Sequence, residues 1–319
     1  VPQYGDWDEG RVLADSAPAG DVAGAALLGT HLSGGATPAD AWDRYDELAW
    51  YAQTDDARLE HAAPSPTTWA SGHFSGGRQG EWSVWLKRGV TPSHQHADLS
   101  SVWIQRAGEW VTRDPGTGTY NGPLVVRDGF RTTAAHPVWR PSGADLLGPH
   151  RAFRWERPTV PAGHAHLDAP GLTVLAVWHE GFDEGRSLRV VLVEDRGVTV
   201  LDRLPDGARE WVQTLPEGPA ADVLVGADGT TAQGVESPFA GWMSHTYGDW
   251  QPSPWREVTA DAGWTVWGAG SPRALTASTR GTVEIDGGRI TLVESEHGTA
   301  VEITIDGTTH RMEVQTHGA

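Results

Sequence analysis

From about residue 66 onward, apolar and polar residues alternate in short runs broken by Gly, Pro and Asp, which is the period-two signature of strands. Seven runs carry it: WSVWLKRG from Trp82, SSVWIQRAG from Ser100, EWVTRD from Glu109, LTVLAVWHEG from Leu172, LRVVLVEDRGVTVLDRL from Leu188, GTVEIDGGRITLVES from Gly281 and TAVEITIDGTTHRMEVQ from Thr299. Asp195-Arg196-Gly197, Asp286-Gly287 and Asp306-Gly307 fall between runs as hairpin turns, so the last third of the chain reads as an antiparallel meander. Short strands at close spacing, without intervening helices, favour a sandwich over a parallel α/β sheet.

The first sixty residues differ. Asp21 to Leu32 is rich in Ala and Leu, and Thr37-Pro38 offers a cap followed by proline in the first helical turn. Ala41, Tyr45, Leu48 and Ala49 then recur at helical spacing, giving one face to bury. The expected fold is therefore mainly β: a large antiparallel multi-stranded β-sandwich over residues 63–319, preceded by a short helical segment over residues 1–62.

Composition narrows the function classes. With 319 residues and 38% hydrophobic content the chain is long enough for a sizeable core. A formal charge of −18 argues against a nucleic-acid partner and against docking on an anionic membrane, and no apolar run approaches the roughly 20 residues that span a bilayer. The absence of cysteine removes disulfides, thiolate nucleophiles and Cys-based zinc sites, so a metal would use His and carboxylates; it leaves the compartment open. The chain starts at Val1, so processing or excision from a longer chain is expected to be in play. Lys87 is the single lysine, and tryptophan occurs 17 times. Arg suits a bidentate grip on carboxylates and sulfates, and Trp offers flat faces for sugar rings, although biased composition and ordinary core tryptophans explain both equally well.

Candidate chemistry concentrates in residues 91–138. His94-x-His96-x-Asp98 runs into a strand, where a period of two would put all three side chains on one face. Asp114 ends the next strand, and a hairpin would return it beside His96, with His136 arriving from the following segment. His96, Asp114 and His136 are the expected ligands of zinc or another divalent cation, leaving His94 for proton handling near neutral pH. The bland alternative is a set of hydrogen-bonded histidines on a solvated sheet edge.

These residues resemble the signature of the heparinase II/III-like polysaccharide lyases: an HxHxD strand, then a D-P-G-x-x-x-Y turn, then R-S/T-x-x-A-H-N-T. The matching positions are His94, His96, Asp98, Asp114-Pro115-Gly116, Tyr120, Arg131-Thr132-Thr133 and Ala135-His136. FSGGRQGEWSVWLKRG upstream and GDWDEGR at residues 5–11 resemble further parts of the pattern, so the likeness covers most of residues 1–200. It implies an α/α-toroid followed by an antiparallel β-sandwich, with a substrate cleft between them and β-elimination of a uronic-acid-containing anionic polysaccharide. In that chemistry the uronate carboxylate is neutralised, the C5 proton is removed and the 4-O-glycosidic bond leaves with proton donation. His94 and Tyr120 would be the catalytic candidates and the metal structural. Most of the toroid, with the family's catalytic Tyr and carboxylate-neutralising Asn or His, is absent from this chain, so a partner chain or domain carrying it is expected for full activity. The resemblance suggests a secreted or periplasmic setting, with a cytoplasmic one left open.

Two departures stand out. The family's His-Asn-Thr is His136-Pro137-Val138 here, which removes an amide beside the proposed ligand. A second HxHxD, His164-Ala-His166-Leu-Asp168, has no D-P-G turn after it and is expected to be a surface turn, with added substrate or metal contacts as the alternative. Charge supports an anionic ligand locally: residues 87–157 hold ten basic and six acidic side chains, a net +4 that leaves −22 for the remainder. Arg88 and Arg131, within this island, are the substrate-binding candidates. A non-catalytic carbohydrate-binding or assembly subunit is the competing reading, and hydrolysis by paired carboxylates a weaker one, for want of an acidic pair in a distinctive context.

Overall fold

The computed structural model describes residues 68–71, 73–89, 96–151, 154–157, 159–246, 248–295, 298–313 and 315–317. The helical segment expected over residues 1–62, its boundary with the β region, and His94 lie outside them.

The seven expected runs all form strands, and the chain is mainly β with antiparallel sheets throughout. An N-terminal meander of five strands runs Thr68–Ser71, Phe74–Gln79, Trp82–Lys87, Val102–Arg106 and Glu109–Thr112. A central seven-stranded sheet is built on Ala162–Ala169, Leu172–Phe182, Gly185–Glu194, Gly197–Leu204 and Gly263–Gly270, with Leu224–Val225 and Gln315–His317 at its edges. A four-stranded sheet contains Trp211–Pro216 and Trp255–Ala260, and a C-terminal meander of five strands covers residues 275–313.

The central sheet is covered on both faces, which makes the arrangement three layers deep. Along Leu172–Phe182, Leu175 and Val177 pack with Val84, Leu86, Ile104, Trp211 and Leu215 of the N-terminal and four-stranded sheets. The alternate residues Val174, Ala176 and Trp178 pack with Val283, Ile290, Val301 and Ile303 of the C-terminal meander. Burial on both faces explains why LTVLAVW and LRVVLV are nearly continuous apolar runs: a strand with one wet face would alternate, and each buried aliphatic side chain contributes about 1.5–3 kcal/mol.

The turns follow their sequence chemistry. Asp306 and Gly307 adopt φ of 48° and 83°, left-handed values that an Asp-Gly pair accommodates in a two-residue hairpin. The sequence did not predict the helix Leu124–Arg131, a short amphipathic element with Val126 and Phe130 turned inward and Leu124 and Val125 exposed.

Candidate metal centre

The HxHxD segment is not a strand where it is described. Residues 96–101 form a loop, Ser101 N–H bonds the Asp98 carbonyl at 2.9 Å, and Ser100 takes a left-handed φ of 70°; the strand starts only at Val102. The loop is pinned at both ends: Lys87 N–H donates to the Ser101 carbonyl (2.9 Å) and Ala97 N–H to the Arg131 carbonyl (2.8 Å). The expected hairpin does form, Val102–Arg106 pairing with Glu109–Thr112, and it delivers Asp114 beside His96.

The D-P-G turn aims the Asp114 carboxylate. Its Oδ1 accepts the Gly116 N–H at 2.8 Å, which leaves Oδ2 to face 3.3 Å from His136 Nδ1 and 3.8 Å from His96 Nδ1. Gly116 has φ of 91° and lies so close to the Ser244 carbonyl that a Cβ would clash, so glycine is required there. Ser244 N–H bonds the Pro115 carbonyl at 2.8 Å and holds the turn from the other side. His136 follows the 3₁₀ turn Thr133–Ala135, whose first N–H is bonded to Asp145 Oδ2 at 2.8 Å.

His96, Asp98, Asp114 and His136 each present a ligand atom within 4.8 Å of the others, and the two imidazole rings lie 5.0 Å apart. His96 and His136 are buried. Burial pushes the Asp114 carboxyl up, but the electrostatic pull of the neighbouring His136, and then of His96, outweighs it and holds the group well below the usual carboxylate range. Among the described residues, neither ring nitrogen of the fully buried His136 makes a well-formed hydrogen bond, although Nδ1 faces Asp114 Oδ2 at 3.3 Å. Buried polar atoms normally find partners, and two donors about 2.1 Å from one tetrahedral zinc would sit roughly 3.4 Å apart, so the donor set fits a divalent cation. Asp98 is engaged differently, in a buried ion pair with Lys87.

The other candidates are placed as follows. Tyr120 is half-buried in the turn between Thr119, whose Oγ1 accepts the Gly122 N–H, and Gly122. Arg88 reaches across to the central sheet, where its Nη1 donates to His164 Nε2. Arg131 is buried rather than turned to solvent: its guanidinium stacks 4.1 Å over Trp155 and donates to the Arg151 carbonyl at 2.9 Å. The guanidinium thus ties the end of the helix Leu124–Arg131 to Trp155 and Arg151.

The expectation for the second HxHxD is corrected. It is not a surface turn but part of the strand Ala162–Ala169, with His164 buried, His166 exposed and Asp168 accepting the Thr173 hydroxyl at 3.0 Å.

Sequence reasoning missed the support beneath the centre. Arg189 and Asp202 pair face to face on adjacent central strands, with Nε to Oδ1 at 2.6 Å. Asp202 also accepts the indole N–H groups of Trp139 (2.8 Å) and Trp267 (3.1 Å), while Arg189 bonds Gln213. Arg189 Nη1 donates to the carbonyls of Ser100 and Pro137, one in the loop carrying His96 and one next to His136. Charged residues inside the apolar runs LRVVLVE and VTVLDRL were the available signal.

Fold and site together define a multi-sheet antiparallel domain that packs a His-Asp-His cluster against its outer sheet. A heparan sulfate lyase from Pedobacter heparinus superposes with a TM-score of 0.55 at 14% identity, covering all of this chain and 50% of the lyase. A heparinase III gene product with methylated lysines gives 0.56 at 10% identity over the whole chain and 49% of the other, and a further heparinase III structure 0.52 at 12% identity over 86% and 48%. The chain thus spans about half the length of these structures. No curated protein matches it. The family described as heparinase II/III-like, C-terminal, matches residues 66–310, and the chain belongs to that family.

Proposed function

We propose that this chain is the β-sandwich part of a polysaccharide lyase that cleaves a uronic-acid-containing anionic glycan by β-elimination. The observation that carries the reading is the convergence of His96, Asp114 and His136, from three separate segments, on one buried point. These three residues would hold zinc or another divalent cation, whose contribution is to fix the loops relative to one another and neutralise the Asp114 carboxylate. His94, two residues before a ligand, is assigned to neutralise the uronate carboxylate or handle the C5 proton, and Tyr120, in the turn that Asp114 opens, to contact the sugar or donate to the leaving oxygen. In the elimination the C5–H and C4–O bonds break, a C4=C5 double bond forms, and the glycosidic oxygen gains a proton.

The solved lyases are about twice as long, which supports a catalytic unit completed by an α/α-toroid on the same polypeptide or a partner. The similarity to a heparan sulfate lyase and a heparinase III favours a glycosaminoglycan as the anionic glycan, and such substrates favour a secreted or periplasmic setting. The test is ultraviolet detection of the unsaturated uronate product with the toroid present. Product formation that is lost in His94→Ala supports the proposal; no product from any uronate glycan contradicts it and leaves a carbohydrate-binding or assembly module.

A further inference from the structure

Arg113 sits between Thr112, the last residue of the N-terminal meander, and Asp114, which opens the D-P-G turn. Its backbone N–H donates to the Pro216 carbonyl at 3.3 Å, but its guanidinium makes no hydrogen bond or ion pair among the described residues. The side chain is half-buried and its Nε fully so. Burial works against the charge, and no carboxylate offsets it. The two carboxylates attached to this corner of the chain are engaged elsewhere: Asp114 with the Gly116 N–H and the imidazoles, and Glu217, bridged to Thr112, with Arg256 at 2.6 Å. A cation taken part of the way out of water without a partner costs stability, so packing alone does not account for it.

A second basic group arrives from another segment. The hairpin of Trp242–Thr246 and Asp249–Pro252 lies along the D-P-G turn, joined to it by Ser244 N–H to the Pro115 carbonyl at 2.8 Å and Gly248 N–H to the Gly118 carbonyl at 2.7 Å. It carries the exposed His245 into the field of Arg113, with Asp249 of the paired strand as the opposing charge. Burial, and then the Arg113 charge, push His245 below its ordinary value, so at neutral pH its ring offers a hydrogen bond and not a charge. A forked guanidinium matches carboxylate and sulfate oxygens in pairs, and partial burial strengthens such a bond relative to open water. We propose that Arg113, assisted by His245, is the subsite that receives a carboxylate or sulfate of the glycan beside the candidate metal centre. The class of ligand rests on the lyase reading above; the unpaired guanidinium does not.

The test is calorimetric titration of the chain with a heparin tetrasaccharide at low ionic strength, with thermal unfolding and metal content measured alongside. Binding is expected to weaken roughly tenfold or more in Arg113→Met, less in Arg113→Lys and His245→Ala. It stays unchanged in Arg78→Gln, an exposed arginine on the strand Phe74–Gln79. Because Arg113 has no partner to lose, Arg113→Met keeps the parent's unfolding midpoint and metal content, which an arginine with a structural role would not. A parent that does not bind the tetrasaccharide, unchanged binding or a lowered midpoint in Arg113→Met, or an equal loss in Arg78→Gln overturns the proposal. An inactive lyase assay leaves these titrations readable, and binding that ignores Arg113 leaves that assay standing, so the two readings fail separately.

Discussion

The chain carries the same five-residue His-x-His-x-Asp spacing twice and uses it in opposite ways. In His94-x-His96-x-Asp98 the described part is a loop, and His96 meets a carboxylate and a second imidazole supplied by other segments. In His164-x-His166-x-Asp168 the backbone is a paired strand, His164 Nε2 accepts a guanidinium N–H from Arg88, and Asp168 accepts the Thr173 hydroxyl. An acceptor nitrogen already held by Arg88 is poorly placed to bind a cation. Alternation along a strand brings i and i+2 to one face but supplies no third donor from elsewhere. The lesson is that spacing alone does not make the centre; the D-P-G turn and the segment ending in His136 do.

The contrast can be broken most severely from beneath. Arg189→Met would leave Asp202 buried without its cation and free the Ser100 and Pro137 carbonyls, so denaturant unfolding should show a loss of about 3–5 kcal/mol. A milder probe is His179, a third kind of buried histidine with no carboxylate bonded to it among the described residues. Burial first, and the Arg189 charge second, push it down to about 3. Because the unfolded value lies near 6.5, its contribution is full above that pH and falls as pH drops towards 3, by up to about 1.4 kcal/mol per pH unit. Relative to the parent chain, His179→Gln should flatten the pH dependence of unfolding over that window. The smallest effect is expected at the second motif: His164→Ala should cost about 1 kcal/mol through the lost Arg88 hydrogen bond and leave metal content unchanged. Loss of metal in that variant would show that the two motifs are not distinct.

Much of this was legible in the strands. Their alternation and Asp-Gly turns gave the sheet elements, and the unbroken runs at 172–178 and 188–193 carried the signal for burial on two faces. The helix Leu124–Arg131 was not legible, since it is short, holds Gly129 and has no side-chain cap. His96, Asp114 and His136 could be nominated from residue type and order because a hairpin joins the first two. What the residues could not show was pairing across sequence: Asp98 with Lys87, Arg131 on Trp155, Arg88 with His164. A charge count treats such side chains as available, and burial decides which ones are.

The most direct measurement is the metal content of the dialysed chain by elemental analysis, with His136→Ala and His164→Ala alongside. One equivalent of a divalent cation in the parent and in His164→Ala, lost in His136→Ala, is the expected result. A metal-free parent, or full occupancy in His136→Ala, would contradict the assignment of His96, Asp114 and His136 as one centre.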